Sequence, residues 1–299
     1  MNKKTALVTG GTRGLGFETA RKLAAAGHRV VLTARKAAEG EAAVALIVSK
    51  TPGADVRSLV LDLASFASIR AFAQAFHATG LPLHLLVNNA GLMTLDPKPT
   101  LTVDGFELTL GTNHIGHFLL THLLLDDLRR AAPSRIVVVS SGMHRRGVGP
   151  GPGPDFDYDN LRAEKSFHPS TAYRNSKLAN LWFAFELDRL VRSENIAVVA
   201  VSPGWVPETQ ADAQPNGFQR FLFRSVLPHL PIARTLRQGS DNTVFAALTP
   251  ALQAQGGGYF EDQKPSLLSD DAKDMEQAKR LWAASCTWTG IERFGKVRA

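Results

Sequence analysis

The 299-residue chain is 44% hydrophobic and 20% charged, which is ample for a sizeable core and for one large α/β domain or two smaller ones. Its single cysteine, Cys286, excludes an intramolecular disulfide and a cysteine-rich metal site and fits a reducing compartment. The net charge of +7 (pI ≈ 9.7) is scattered, and pairs such as Arg129-Arg130 lack interleaved aromatics, so a basic surface suited to an anionic cofactor is favoured over a nucleic-acid interface.

The first residues lead straight into a short apolar run at 4–9 that ends at glycines, the pattern of a buried parallel strand. No apolar leader precedes it and no run approaches the roughly eighteen apolar residues of a membrane span, so a cytoplasmic protein is expected. Next comes Thr9-Gly10-Gly11-Thr12-Arg13-Gly14-Leu15-Gly16, then a helix pattern over 17–26 stopped by Gly27. Glycines at 10, 14 and 16 suit a backbone that curls tightly and approaches a ligand. The helix start behind them offers unpaired N–H groups to a pyrophosphate.

A second strand at 29–33 ends in Ala34-Arg35-Lys36, where such a fold faces the adenosine ribose. Basic residues there suit a 2′-phosphate, so Arg35 with Arg13 points to NADP(H). A helix (36–49), a strand (56–61) closing on Asp62-Leu63, a helix (65–77) and a strand (83–87) follow. Asp62 is placed to accept from an adenine amino group. The second of these strands closes on Asn88-Asn89-Ala90-Gly91, where small residues suit close backbone approach. Asn88 is expected to hold neighbouring strands together. A long helical pattern at 102–130 buries Asn113, a polar residue that requires a role.

The strand at 136–139 closes on Ser140-Ser141-Gly142-Met143-His144, placing a hydroxyl where open parallel sheets hold their ligands. Residues 145–170 break the pattern. Their Gly-Pro repeat cannot form a helix or strand interior and reads as a loop insertion, since the α/β alternation resumes behind it. Tyr173-Arg174-Asn175-Ser176-Lys177 then opens a helix at 172–190, with Tyr173 and Lys177 one turn apart on one face. A nearby ammonium favours the phenolate, so Tyr173 is expected to exchange protons near neutral pH. A strand at 196–201 leads to Pro203-Gly204-Trp205-Val206. The greasy segment 207–238, with Phe218, Phe221 and Phe223, reads as a flap over an apolar substrate or a packed helical hairpin. A helix (238–248), a strand (258–260) and a final helix (272–284) complete one domain without repeats.

Taken together, the glycine segment, Asn88-Asn89-Ala90-Gly91, Asn113, Ser141, Tyr173, Lys177 and Pro203-Gly204 make the chain resemble a short-chain dehydrogenase/reductase over residues 4 to about 260. Asn113-His114-Ile115-Gly116-His117-Phe118 and Ala172-Tyr173-Arg174-Asn175-Ser176-Lys177 are most similar to the retinol dehydrogenase and WW-domain oxidoreductase branch, with the protochlorophyllide reductases nearby. The resemblance implies a single-domain, doubly wound Rossmann fold around a mostly parallel sheet of about seven strands. It implies a catalytic set of Asn113, Ser141, Tyr173 and Lys177, with Tyr173 exchanging the proton and Lys177 lowering its pKa. The cofactor set becomes Gly10, Thr12, Arg13, Gly14, Leu15, Gly16, Arg35, Lys36, Asp62, Leu63, Asn89, Ala90, Gly91, Tyr173, Lys177, Pro203, Gly204 and Val206 for NADP(H), with no metal. Substrate contacts are expected from Ser141, Met143, His144, Tyr173 and Trp205.

Glu208, with Thr209 after it, stands where the family usually places a Thr or Ser, a departure that Pro207 stiffens. The expected activity is hydride exchange with the carbonyl or alcohol of an apolar substrate. The alternatives are light-dependent C=C reduction and cofactor binding without turnover. A homodimer or homotetramer through the helices at 102–130 and 172–190 is also expected.

Overall fold

The structure is a computed structural model that describes residues 3–210, 227, 230 and 233–295. Most of the expected flap, at 211–226, 228–229 and 231–232, lies outside the described residues. The architecture is one α/β domain around an eight-stranded sheet of order β3-β2-β1-β4-β5-β6-β7-β8. The strands are β1 (Thr5–Val8), β2 (Arg29–Ala34), β3 (Val56–Val60), β4 (Leu85–Asn88), β5 (Ser134–Val139), β6 (Ile196–Val201), β7 (Tyr259–Glu261) and β8 (Lys264–Pro265). Seven run parallel. The eighth, unforeseen in the sequence, is a two-residue antiparallel edge on β7, short because Pro265 has no N–H to extend a ladder.

Strand residues alternate between two cores. Ala6 and Val8 face one and Leu7 the other, which explains the uninterrupted apolar runs in the sequence. The first face is covered by α1 (Gly14–Ala25), α2 (Ala37–Lys50) and a later helix at Leu236–Leu248; the second by α3 (Phe66–Ala78), α4 (Gly116–Arg130) and α5 (Pro169–Val191). Sheet order reverses at β1, whose neighbours are β2 and β4, so a crevice opens at the carboxyl ends of β1 and β4.

Three local differences from the sequence expectations have physical causes. The helix expected from 102 begins only at Leu108. Residues 101–107 turn back instead in an antiparallel bridge between Leu101 and Glu107, and the Glu107 carboxylate caps the N–H groups of Thr109 and Leu110. The final helix runs Met275–Thr289, because Asp274 caps its first turn and ends a separate short helix at Asp270–Lys273. Asn88 donates to Thr121 Oγ1 at 3.0 Å, tying β4 to α4 rather than to a neighbouring strand.

Part of the surface of α4 and α5 is covered by this chain's own carboxyl-terminal segment. Phe118 packs edge-on to Trp282 at 5.1 Å and to Phe294 at 4.9 Å, and Phe183 stacks on Trp282 at 6.0 Å. Among the described residues, no helix is long and apolar enough to cross a membrane.

Candidate active site

The glycine turn after β1 is built for close approach. Gly10 (φ +66°) and Gly14 (φ +57°) occupy backbone conformations that side chains disfavour. Gly10 and Gly11 are tied to Thr33 through its hydroxyl and carbonyl, each at 3.1 Å. A Cβ on Gly16 would collide with the Gly10 carbonyl oxygen and lie 2.5 Å from Asn89 Nδ2, so the turn, α1 and the end of β4 are in contact. Arg13, the N-cap residue of α1, makes no side-chain cap, which leaves the first-turn N–H groups free for an anion. Thr12 and Leu15 are half-buried in the same turn.

Gly16→Ala is expected to weaken nicotinamide-nucleotide binding by about tenfold or more, since relieving such a clash costs about 1–3 kcal/mol and shifts ligand-facing backbone. Calorimetric titration checks this, and unchanged affinity would refute the cradle.

At the far end of the crevice Arg13, Arg35 and Lys36 are exposed, and none forms an ion pair among the described residues. Asp62 is half-buried, with Oδ1 accepting from Ala64 N–H at 2.9 Å. The Leu63 side chain is buried in the core against Gly116, leaving only its backbone to face a ligand.

The reactive end gathers at the carboxyl ends of β4, β5 and β6. Ser141 caps a short 3-10 turn (Gly142–His144), its Oγ accepting from Met143 N–H at 3.2 Å and lying near enough to the Tyr173 hydroxyl to influence its pKa. Lys177 is buried (4% exposed), with Nζ 5.5 Å from the Tyr173 ring centre and donating to the Val139 carbonyl at 3.2 Å. Burial sets both pKa values. Desolvation pushes Tyr173 up to about 12, opposed by the nearby Ser141 hydroxyl, and lowers Lys177 to about 8. Desolvation outweighs the other influences on Tyr173, and Lys177 is not among them, so Tyr173 keeps its proton at neutral pH.

Asn113 lies in a widened π turn (Gly111–Ile115) between Leu108–Leu110 and α4. Its Oδ1 accepts from Leu92 N–H at 2.8 Å, while Nδ2 donates to Leu92 O and Ser176 Oγ, each at 2.9 Å. Ser176 in turn donates to the Tyr173 carbonyl at 2.7 Å. Asn113 is thereby locked to both the β4 exit and the Tyr173 helix. A Cβ on Gly91 would lie 3.3 Å from Asn113 Oδ1 and 3.4 Å from Lys177 Nζ, so Ala90-Gly91 runs directly over this end.

Sequence reasoning missed a buried relay beneath the site. His117 Nδ1 is 2.9 Å from the Asn113 carbonyl oxygen and Nε2 is 2.9 Å from Thr9 Oγ1. A carbonyl only accepts, so Nδ1 carries the proton and Nε2 takes the Thr9 hydroxyl hydrogen. Thr9 Oγ1 then accepts from Asn89 and Ala90 N–H, each at 2.9 Å. The sole signal was the one-turn spacing of Asn113 and His117; Thr9 is 108 residues away.

His144, by contrast, is not placed to touch a substrate. It is fully buried, with Nδ1 donating to the Ser141 carbonyl at 2.8 Å and Nε2 accepting from Ser269 N–H at 3.3 Å. The 3-10 turn that exposes Ser141 rotates His144 inward. Met143 and Trp205 are half-buried beside Ser141 and Gly204, at the ends of adjacent strands β5 and β6. Pro203 and Val206 are buried, Gly204 has φ +76°, and Thr209 Oγ1 donates to the Val206 carbonyl at 2.7 Å.

Comparisons with known proteins agree with this arrangement. The short chain dehydrogenase family pattern matches residues 4–151. Retinol dehydrogenase 12 of Homo sapiens is 38% identical over 288 residues, covering 96% of this chain and 87% of the human protein. Among solved structures, an uncharacterised protein of Mycobacterium Paratuberculosis superposes with a TM-score of 0.72 at 31% identity, covering 96% of this chain and 93% of that one. The NADP complex of Pseudomonas aeruginosa RhlG superposes with a TM-score of 0.65 at 25% identity, covering 86% and 93%. With the glycine turn, Asn113, Ser141, Tyr173 and Lys177 in one crevice and this likeness along nearly the whole chain, the protein belongs to the short-chain dehydrogenase/reductase family, in its retinol dehydrogenase-like branch.

Proposed function

We propose that this protein is an NADPH-dependent reductase of apolar aldehydes or ketones. The observation that carries the reading is the Tyr173–Ser141–Lys177 constellation at the strand ends, where a buried Tyr173 keeps its proton beside Ser141 and Lys177. The residues present fit a nicotinamide dinucleotide: the tight glycine turn leaves the first N–H groups of α1 uncapped, and Arg13 in that turn and Arg35 and Lys36 at the end of β2 form no ion pair among the described residues. When bound, that cofactor supplies the hydride. The chain supplies the rest. Tyr173 gives its proton to the substrate oxygen as charge develops there, and the Ser141 hydroxyl hydrogen-bonds the same atom. Lys177, with a pKa near 8, holds a proton that replaces the one Tyr173 gives up, and its ammonium holds the nicotinamide ribose.

The apolar substrate class rests on half-buried Met143 and Trp205 and on the likeness to a protein named for retinol. Preference for the phosphorylated cofactor rests on Arg13, Arg35 and Lys36. Arg35→Glu is expected to weaken NADPH binding by about 10- to 100-fold, one lost charged contact plus one repulsion, while NADH binding changes little. Fluorescence titration of both cofactors checks this, and equal losses for the two would remove the phosphate assignment. The activity itself is tested by NADPH consumption in the dark over aldehydes and ketones graded from short aliphatic to polycyclic. No consumption with any of them would refute the reading.

A further inference from the structure

Arg174, between Tyr173 and the rest of the site motif, is fully buried and has no carboxylate partner among the described residues. A desolvated guanidinium is tolerated only when its donors are satisfied. Here they are satisfied almost wholly by one loop. Nη1 donates to the carbonyls of Met143 (3.3 Å) and Arg145 (3.2 Å); Nη2 donates to those of Val148 (2.6 Å), Gly149 (3.1 Å) and Pro150 (3.1 Å). Nε donates to Ser170 Oγ at 3.0 Å, and that hydroxyl donates to the Pro150 carbonyl at 3.0 Å.

Asn175 grips the loop further on, accepting from Asp155 N–H at 2.7 Å and donating to its carbonyl at 2.6 Å. The glycines permit this wrapping. A Cβ on Gly151 would lie 2.9 Å from Ser170 Oγ, and Gly149 (φ +71°) lies against Met143, its Cβ position 3.7 Å from Met143 Cε. The Gly-Pro repeat, without helix or strand from 145 to 168, is therefore folded around one cation rather than free.

We propose that Arg174 is a specificity-determining positioning residue. It locks the loop 143–150 onto the Tyr173 helix, so that Met143 forms a fixed wall beside Ser141 and the substrate cleft selects by shape. The proposal rests on the reductase reading and names what sets its substrate range. The lock acts on the substrate side alone, since the glycine turn and the basic residues at the end of β2 lie on other strands.

The test compares Arg174→Met and Arg174→Lys with the unchanged chain in three readouts. These are NADPH affinity, KM and kcat over the graded carbonyl panel, and tryptic cleavage after Arg145 or Arg146. Arg174→Met is expected to raise KM for the preferred substrate by about tenfold, with kcat altered far less, and to narrow the preference over bulkier carbonyls. Cleavage is expected to be about tenfold faster as the loop opens, NADPH affinity to stay within about twofold, and Arg174→Lys to recover part of each effect. If Arg174→Met does not fold, Asn175→Ala, which loosens the loop at Asp155 only, is expected to shift cleavage and selectivity in the same direction by less.

Faster cleavage with unchanged selectivity overturns the wall, and unchanged cleavage overturns the lock. Absence of turnover in the unchanged chain is a different failure: it refutes the reductase reading, and the specificity role with it.

Discussion

Tyr173→Phe is expected to lower kcat for carbonyl reduction by about a thousandfold, with NADPH affinity held within about twofold. The substitution removes one oxygen and little else. A phenyl ring preserves the packing against the Lys177 ammonium, 5.5 Å from the ring centre, and leaves the backbone carbonyl that Ser176 bonds. What disappears is the proton that meets the substrate oxygen. Burial holds that proton on Tyr173, with a pKa of about 12, so Tyr173 is poised as an acid, the state reduction requires. Stopped-flow or steady-state NADPH oxidation, paired with a binding titration, separates chemistry from binding. Turnover within tenfold of the unchanged chain would assign the proton to another group.

The parts of this site that sequence showed are those set by local spacing. Gly10 to Gly16 sits between an apolar run and a helix pattern, and Tyr173 and Lys177 are one turn apart on a strongly periodic helix, so both could be placed before any fold was known. What stayed hidden depends on pairings across the sheet or on the direction of one side chain. The bond from His117 to Thr9 joins residues 108 apart, and nothing in the run around either announces the other.

Nothing in the polar pentapeptide Tyr173 to Lys177 singled out Arg174. Its burial becomes visible only when the Gly-Pro loop folds back over α5. His144 follows Ser141 closely in the chain, yet the 3-10 turn buries its ring, with Nδ1 on the Ser141 carbonyl and Nε2 on Ser269 N–H. The carboxyl-terminal helix at Met275–Thr289 was foreseen as a helix, yet its apolar face gave no sign that α4 and α5 were what it covers.

The buried histidines make a second large effect expected, a loss of stability in mild acid. Desolvation lowers His114 to about 3 and His117 and His122 to about 4. His114 lies among Phe118 and Phe183 with Nε2 against Ser285 Oγ, and His117 is held between Asn113 and Thr9 near the Lys177 charge. His122 Nδ1 accepts from Gly295 N–H at 2.9 Å, so it is committed to the neutral form; Arg70 and Arg129 oppose its protonation while Asp126 favours it.

These groups have folded pKa values below the unfolded value near 6.5, so the unfolded chain takes up protons that the folded one refuses. Stability is complete above pH 6.5 and is lost as pH falls toward 4, by about 1.4 kcal/mol per site per pH unit. At pH 5 the fully buried pair, His114 and His117, together represents a loss of about 4 kcal/mol, a large fraction of the 5–15 kcal/mol that typically holds a domain. Urea unfolding at pH 7, 6 and 5 reads this directly. His114→Phe, which removes one titrating ring from an aromatic surround, should reduce the slope between pH 6 and 5 by about 1.4 kcal/mol per unit. A flat profile, or an unchanged slope in that variant, would show that these rings titrate normally in the fold. Acid loss should also reach the active site early, because a protonated His117 can no longer accept the Thr9 hydroxyl that links β1, Asn89-Ala90 and the Asn113 turn.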